Sequence, residues 1–156
     1  MLPIDAAAPD FALRDQHGQA QSLASRRGSS NVLLVFYPFA FTGVCTGELR
    51  SLNDNAPTWS ELGADVIAVS CDPIPSLRAF ADQEGLELPL VSDFWPHGAV
   101  ATAYDAFESS LGAAGRATYV IDRDGVIRWS VRNAIPDARE VTEYVTALAG
   151  LGSAAS

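Results

Sequence analysis

The chain predicts an α/β domain in which a mixed central β-sheet carries helices on both faces and a small β-hairpin precedes it. Three observations predict this class. Residues 31–37 (NVLLVFY) and 65–70 (DVIAVS) are short, largely apolar runs, the pattern of strands buried on both sides. A helical pattern lies between them, and a strand–helix–strand crossover makes its two strands parallel neighbours. Residues 117–121 and 126–132 flank Asp122-Arg123-Asp124-Gly125, a turn signal that joins antiparallel strands. With 156 residues, 48% of them hydrophobic, the chain suits one domain spanning 1–156.

The elements follow in order. Residues 11–15 and 20–23 read as a hairpin across Gln16-His17-Gly18-Gln19. Residues 38–43 form a loop after the first buried strand. A helix then starts near Val44 and carries Leu49 and Leu52 inward, and Pro57 either breaks it or opens a short continuation. Residues 75–84 read as a helix stopped by Gly85, 88–91 as a short strand, and 98–107 as a further helix. Residues 137–148 make a closing amphipathic helix with Val141, Tyr144, Val145 and Leu148 on one stripe, and 150–156 a frayed tail.

Charge and composition exclude several classes of function. A net charge of −9 speaks against binding nucleic acid or an anionic membrane, since both require a basic face. Residues 1–11 lack the charged start and apolar stretch of a secretory signal. No apolar run reaches the roughly 18–20 residues of a membrane helix, so a soluble cytoplasmic protein is expected. The two cysteines, Cys45 and Cys71, are too few for a disulfide scaffold or a structural zinc site, and two distant histidines make no metal site. In a reducing compartment such a cysteine is either inert and buried or reactive and specially placed.

Cys45 is specially placed. The stretch Tyr37-Pro38-Phe39-Ala40-Phe41-Thr42-Gly43-Val44-Cys45-Thr46-Gly47-Glu48-Leu49 sets it in the first turn of a helix that follows a buried strand. Unpaired N–H groups and the helix dipole favour an anion there, so a thiolate is stabilised. The amides of Val44 and Cys45 can also meet the oxygens of a substrate that the sulfur attacks. The Thr42 hydroxyl is within reach of both the sulfur and such a substrate, and Pro38 shields the sulfur without adding a competing donor.

The spacing Pro38-x-x-x-Thr42-x-x-Cys45, with Thr46 and Glu48 after it, resembles the active-site signature of the peroxiredoxins. The resemblance extends to Ala8-Pro9-Asp10-Phe11, to Val69-Ser70-x-Asp72 and to Ser92-Asp93 ahead of Ala103-Tyr104. Among subgroups it looks closest to the alkyl hydroperoxide reductase E-like branch, through residues 38–49 and Ser92-Asp93-Phe94-Trp95-Pro96-His97-Gly98-Ala99-Val100. It implies a thioredoxin-like fold and an arginine over the cysteine, which Arg116 matches. A second family arginine matches Arg139, implied to pair with Glu48 and to orient Arg116. A planar guanidinium can bond thiolate and peroxide oxygen together, as a lysine point charge does less well.

The implied activity is a cofactor-free, thiol-dependent peroxidase acting on hydrogen peroxide, organic hydroperoxides and peroxynitrite. Cys45 thiolate attacks the O–O bond and becomes a sulfenic acid. A resolving cysteine five residues later is excluded by Arg50, and the last third of the chain has none. Cys71 reads as a small buried residue, so an external thiol is expected to recycle the enzyme. The subgroup implies mycothiol with a mycoredoxin, or a thioredoxin-like protein, and a homodimer.

Plainer readings stand beside these. Thr42 could be an ordinary helix cap, Glu48 a favourable first-turn charge and Arg116 a surface strand residue. His17 and His97 read as surface or capping groups, and Phe39 and Trp95 as core, pocket mouth or dimer contact. A thiol–disulfide oxidoreductase would need a second cysteine where Glu48 stands. A glutathione peroxidase-like site would need other partners around its cysteine. A redox-sensing or chaperone binding protein on the same fold would have no need of Pro38, Thr42, Cys45 and Arg116 together.

Overall fold

The computed structural model describes residues 1–152. In chain order it contains β1 (Ala12–Arg14), β2 (Ala20–Ser22), β3 (Asn31–Phe36), α1 (Gly43–Asp54), α2 (Ala56–Glu61), β4 (Ala64–Ser70) and α3 (Ile74–Glu84). There follow β5 (Leu90–Ser92), α4 (Ala99–Ala103), β6 (Phe107–Glu108), β7 (Ala113–Ala114), β8 (Arg116–Ile121), β9 (Ile127–Asn133) and α5 (Val141–Gly152). The central sheet has the order β5-β4-β3-β8-β9. β3 runs parallel to β4, from Asn31 opposite Ala64 to Phe36 opposite Val69, and β4 runs parallel to β5. On its other side β3 is antiparallel to β8, which is antiparallel to β9, so the sheet is mixed as expected.

The period of two along β3 divides the core. Leu33, Val35 and Tyr37 join Leu49 and Leu52 of α1, Trp59 of α2, Leu77 and Phe80 of α3, and Tyr144 and Leu148 of α5. Val32, Leu34 and Phe36 face the opposite way, onto Phe11, Leu23, Ala101 and Tyr104. Helices therefore cover both faces unevenly: α1, α2, α3 and α5 on one, α4 with the N-terminal hairpin on the other. Each large apolar side chain sealed between these layers contributes roughly 1.5–3 kcal/mol. No described helix is long and apolar enough to cross a membrane.

Three boundaries differ from the sequence expectation. The helix expected over 98–107 stops at Ala103, because Asp105 takes a left-handed conformation (φ 53°) and Phe107 pairs with Ala114 in a two-stranded ribbon. The short strand expected over 88–91 lies instead at Leu90–Ser92, where it hydrogen-bonds the end of β4. The last helix begins at Val141 rather than 137, where the Asn133 side-chain amide occupies the Asp137 and Ala138 carbonyls that an earlier start would use as acceptors. It continues through Gly152, into the expected tail; residues 153–156 lie outside the described residues. Pro57 starts α2 within its first turn, and Gly85 ends α3 with φ 66°.

Asp93 explains why Ser92-Asp93 precedes α4. Its buried carboxylate accepts the N–H groups of Val100 (3.1 Å) and Ala101 (2.8 Å), and Gly98 turns the chain between them with φ 70°. A Cβ on Gly98 would lie 2.4 Å from the Phe107 ring. Gly98→Ala is accordingly expected to cost on the order of 2–4 kcal/mol, from left-handed backbone strain plus overpacking. Urea unfolding measures this; an unchanged midpoint would contradict the packing of Phe107 on this turn.

Candidate active site

The site forms where β3 hands over to α1. Tyr37 and Pro38 leave the sheet buried, and Phe41 turns the chain with φ 65° into Thr42, the N-cap of α1. Cys45 then falls in the first turn of the helix, 0% exposed. The N–H groups of Val44 and Cys45 precede the first intrahelical bond, made from Thr46 N to Thr42 O (2.9 Å), and so have no partner within the helix. The loop is pinned from β4: Asp72 accepts the N–H of Ala40 (2.9 Å) and the Ser70 hydroxyl (2.8 Å). Ser92 in turn donates to the Asp72 carbonyl (2.6 Å). The Val69-Ser70-x-Asp72 and Ser92-Asp93 motifs thus hold the cysteine loop and α4 in place.

Arg116, at the start of β8 and 3% exposed, directs Nη1 at Cys45 Sγ, 3.4 Å away. The same nitrogen donates to Glu48 Oε1, and Nε donates to the carbonyl of Ile135. Arg139 grips the other side of the Glu48 carboxylate. Its backbone N–H (2.7 Å) and Nε (2.8 Å) reach Oε2, and Nη2 (3.0 Å) reaches Oε1. Arg139 Nη1 continues to the Ala117 carbonyl (2.8 Å) and the Thr118 hydroxyl (3.1 Å), and Thr118 Oγ1 lies 2.9 Å from the Tyr144 hydroxyl. The burial of Glu48 by itself would raise its pKa. Arg139, by hydrogen bond and charge, and then Arg116 outweigh that and hold the carboxyl below the usual carboxylate range.

The structure thus brings Cys45, Arg116, Glu48 and Arg139 together, and Pro38 is buried at the start of the loop that leads to Cys45. Thr42 departs from expectation. Its hydroxyl donates to the Phe39 carbonyl (2.8 Å) and makes no hydrogen bond to Sγ or to the helix N–H groups. Only its lone pairs remain for a ligand. Arg139 stands two residues before α5 rather than at its start, and its N–H reaches Glu48. Cys71 is a separate free thiol. Its burial, then the charge of Asp93, push its pKa up to about 11. Among the described residues the Tyr37 hydroxyl, wholly buried, has no hydrogen-bond partner, and burial raises its pKa.

His97 and His17 are exposed, with His97 Nε2 at 2.7 Å from the Gly112 carbonyl. Among the described residues no cluster of His, Cys, Asp and Glu could hold a metal ion. Thr118 and Tyr144 escaped the reading of the sequence. Thr118 lies two residues after Arg116, hence on the same side of the strand, which is the one available signal. Tyr144 was legible only as part of an apolar helix stripe.

Comparison with known proteins gives the family. The AhpC/TSA family model matches residues 4–130. The chain belongs to that peroxiredoxin family. It is 46% identical over 151 residues to alkyl hydroperoxide reductase E of Mycobacterium bovis, covering 97% of this chain and 99% of that protein. The same protein of Mycobacterium tuberculosis matches equally. Among solved structures, peroxidoxin BcpB of Mycobacterium tuberculosis superposes with a TM-score of 0.83 at 28% identity, over 98% of each chain. Enterococcus faecalis AhpC superposes with a TM-score of 0.89 at 26% identity, over 99% of this chain and 95% of that one. The chain is a thioredoxin-like oxidoreductase of the thiol-dependent peroxidase class, of the alkyl hydroperoxide reductase E-like subgroup.

A depressed carboxyl sets the direction of a pH effect. The ionised Glu48 stabilises the fold above its unfolded pKa of about 4.3, and that stabilisation is lost as pH falls through the lower folded value. Glu48→Gln, which leaves two buried guanidiniums without their shared anion, is expected to cost about 3–5 kcal/mol at pH 7 and to flatten the acid limb of stability. Denaturant midpoints between pH 3 and 7 measure both; equal acid sensitivity in the variant would contradict the role of this carboxylate.

Proposed function

We propose that Cys45 is the attacking sulfur of this peroxidase and that its substrates are hydrogen peroxide and organic hydroperoxides, with peroxynitrite, which would release nitrite, as a separate inorganic substrate. The observation that carries the reading is the approach of Arg116 Nη1 to Cys45 Sγ at 3.4 Å, both groups buried at a helix N-terminus. The thiolate displaces RO⁻ from the distal peroxide oxygen. The Cys45 sulfur is oxidised to a sulfenic acid, the peroxide is reduced, and the departing alkoxide takes up a proton to leave as alcohol or water. Arg116 and the amides of Val44 and Cys45 face the charge that moves along the S–O–O axis. Thr42 supplies lone pairs to the peroxide hydrogen, Pro38 keeps water from the sulfur, and Glu48 with Arg139 holds Arg116 in line.

Cys45→Ser is expected to abolish turnover, and Arg116→Ala to slow sulfur oxidation by about 10²–10³-fold with the fold retained. Stopped-flow measurement with hydrogen peroxide checks both; turnover surviving in Cys45→Ser overturns the assignment.

Recycling uses an outside thiol. Cys71 is held as a protonated, buried thiol and so is a poor nucleophile toward a sulfenic acid. The reductant is a low-molecular-weight thiol such as mycothiol working with a mycoredoxin, or a thioredoxin-like protein, in a reducing cytoplasm that keeps both cysteines free. Phe39, Phe41, Phe94 and the 82%-exposed Trp95 follow the ends of β3 and β5, and this apolar rim suits a homodimer of single-domain chains. After one equivalent of peroxide, mass spectrometry is expected to show one oxidised sulfur on Cys45 and a free thiol on Cys71. An intramolecular Cys45–Cys71 disulfide would overturn the one-cysteine cycle.

A further inference from the structure

Arg139 can only donate hydrogen bonds, and its Nη1 spends them on the Ala117 carbonyl and the Thr118 hydroxyl. Thr118 is 0% exposed, so its oxygen is out of reach of bulk water. Its neighbour is the Tyr144 hydroxyl at 2.9 Å, buried as well. The Tyr144 ring is itself held, by Trp59 (centroids 6.5 Å apart) and by Trp129 (6.0 Å, edge-on). A continuous polar chain therefore runs from α5 to the sulfur: Tyr144, Thr118, Arg139, Glu48, Arg116, Cys45.

We infer that Tyr144 and Thr118 are positioning residues for the peroxidase reaction, fixing the plane of Arg139 so that Glu48 holds Arg116 Nη1 against Cys45. A guanidinium planted on a carboxylate by two parallel bonds can still swing about that contact. The bonds from Nη1 to β8 and its hydroxyl supply the second point of attachment that stops the swing. In a site closed to water, a donor turned away from the line of charge transfer is lost to catalysis, since nothing mobile replaces it. Tyr144 thus ties the closing helix to the chemistry, where the stripe of Val141, Val145 and Leu148 around it serves packing alone.

The inference rests on Cys45 being the attacking sulfur, and the test keeps the two claims apart. Tyr144→Phe removes one hydroxyl and leaves the ring between Trp59 and Trp129. The expected result is a fall of about threefold to tenfold in the second-order rate of Cys45 oxidation by hydrogen peroxide. The midpoint of the pH–rate profile is expected to move upward, with a denaturant midpoint close to that of the parent protein. Thr118→Val is expected to lose more, and Thr118→Ser to restore the parent rate because it keeps the hydroxyl. An unchanged rate and pH profile in Tyr144→Phe would overturn the inference, as would a rate loss no larger than the unfolded fraction explains. Turnover persisting in Cys45→Ser would instead sink the assignment of the sulfur, whatever the tyrosine variant does.

Discussion

One carboxylate organises this protein. Glu48, a single helical turn beyond Cys45, is shared between Arg116 and Arg139 in the interior. Neither guanidinium could be buried alone at acceptable cost, because an unpaired charge in a low-dielectric site loses several kcal/mol of hydration. Together the three groups carry a net positive charge directly beneath the sulfur. The cluster tolerates desolvation through mutual hydrogen bonding, and its surplus positive charge lies against the sulfur, with Arg116 Nη1 3.4 Å from Sγ.

The fold supplies the three groups from distant points of the chain. Glu48 comes from α1, Arg116 from the first residue of β8, and Arg139 from the segment ahead of α5. The parallel pairing of β3 with β4 brings the Ser70–Asp72 turn beside the loop that carries Pro38 and Thr42. The antiparallel pairing of β3 with β8 lays Arg116 alongside the exit of β3. Polar fixing of loops by acids recurs here: the half-buried Asp72 restrains the cysteine loop as the buried Asp93 caps α4. In both cases backbone N–H groups that helix and sheet leave unpaired are satisfied by a side chain from elsewhere.

Closure of the site has a consequence for its chemistry. With Cys45, Glu48, Arg116 and Arg139 all buried, the electrostatic interactions among them are stronger than they would be in water. The cost of misorienting any donor rises in the same proportion. The protein answers with redundancy: Arg139 uses its backbone N–H, Nε, Nη1 and Nη2, and Arg116 is held by Glu48 and by the Ile135 carbonyl. Cys71 illustrates the contrary environment. It is another buried cysteine of the same chain, but beside acids rather than arginines, and burial leaves it a protonated thiol.

Local sequence determined a good deal of this. Short apolar runs, glycine stops and the Asp-Gly turn are encoded within a few residues, so the strands of the central sheet, the β1–β2 and β8–β9 hairpins and most helix starts could be read directly, but not the β6–β7 ribbon. Cys45 and its place in the first turn of a helix are equally local, since strand, loop and helix follow one another without interruption. What tertiary structure decided depends on residues far apart. The premature end of α4 follows from Phe107 pairing with Ala114, and Arg139 gives its N–H to a carboxylate 91 residues away, a meeting no local pattern encodes. The commitment of the Thr42 hydroxyl to Phe39 and the meeting of Thr118 with Tyr144 turn on side-chain directions, which periodicity assigns to a face but not to a partner.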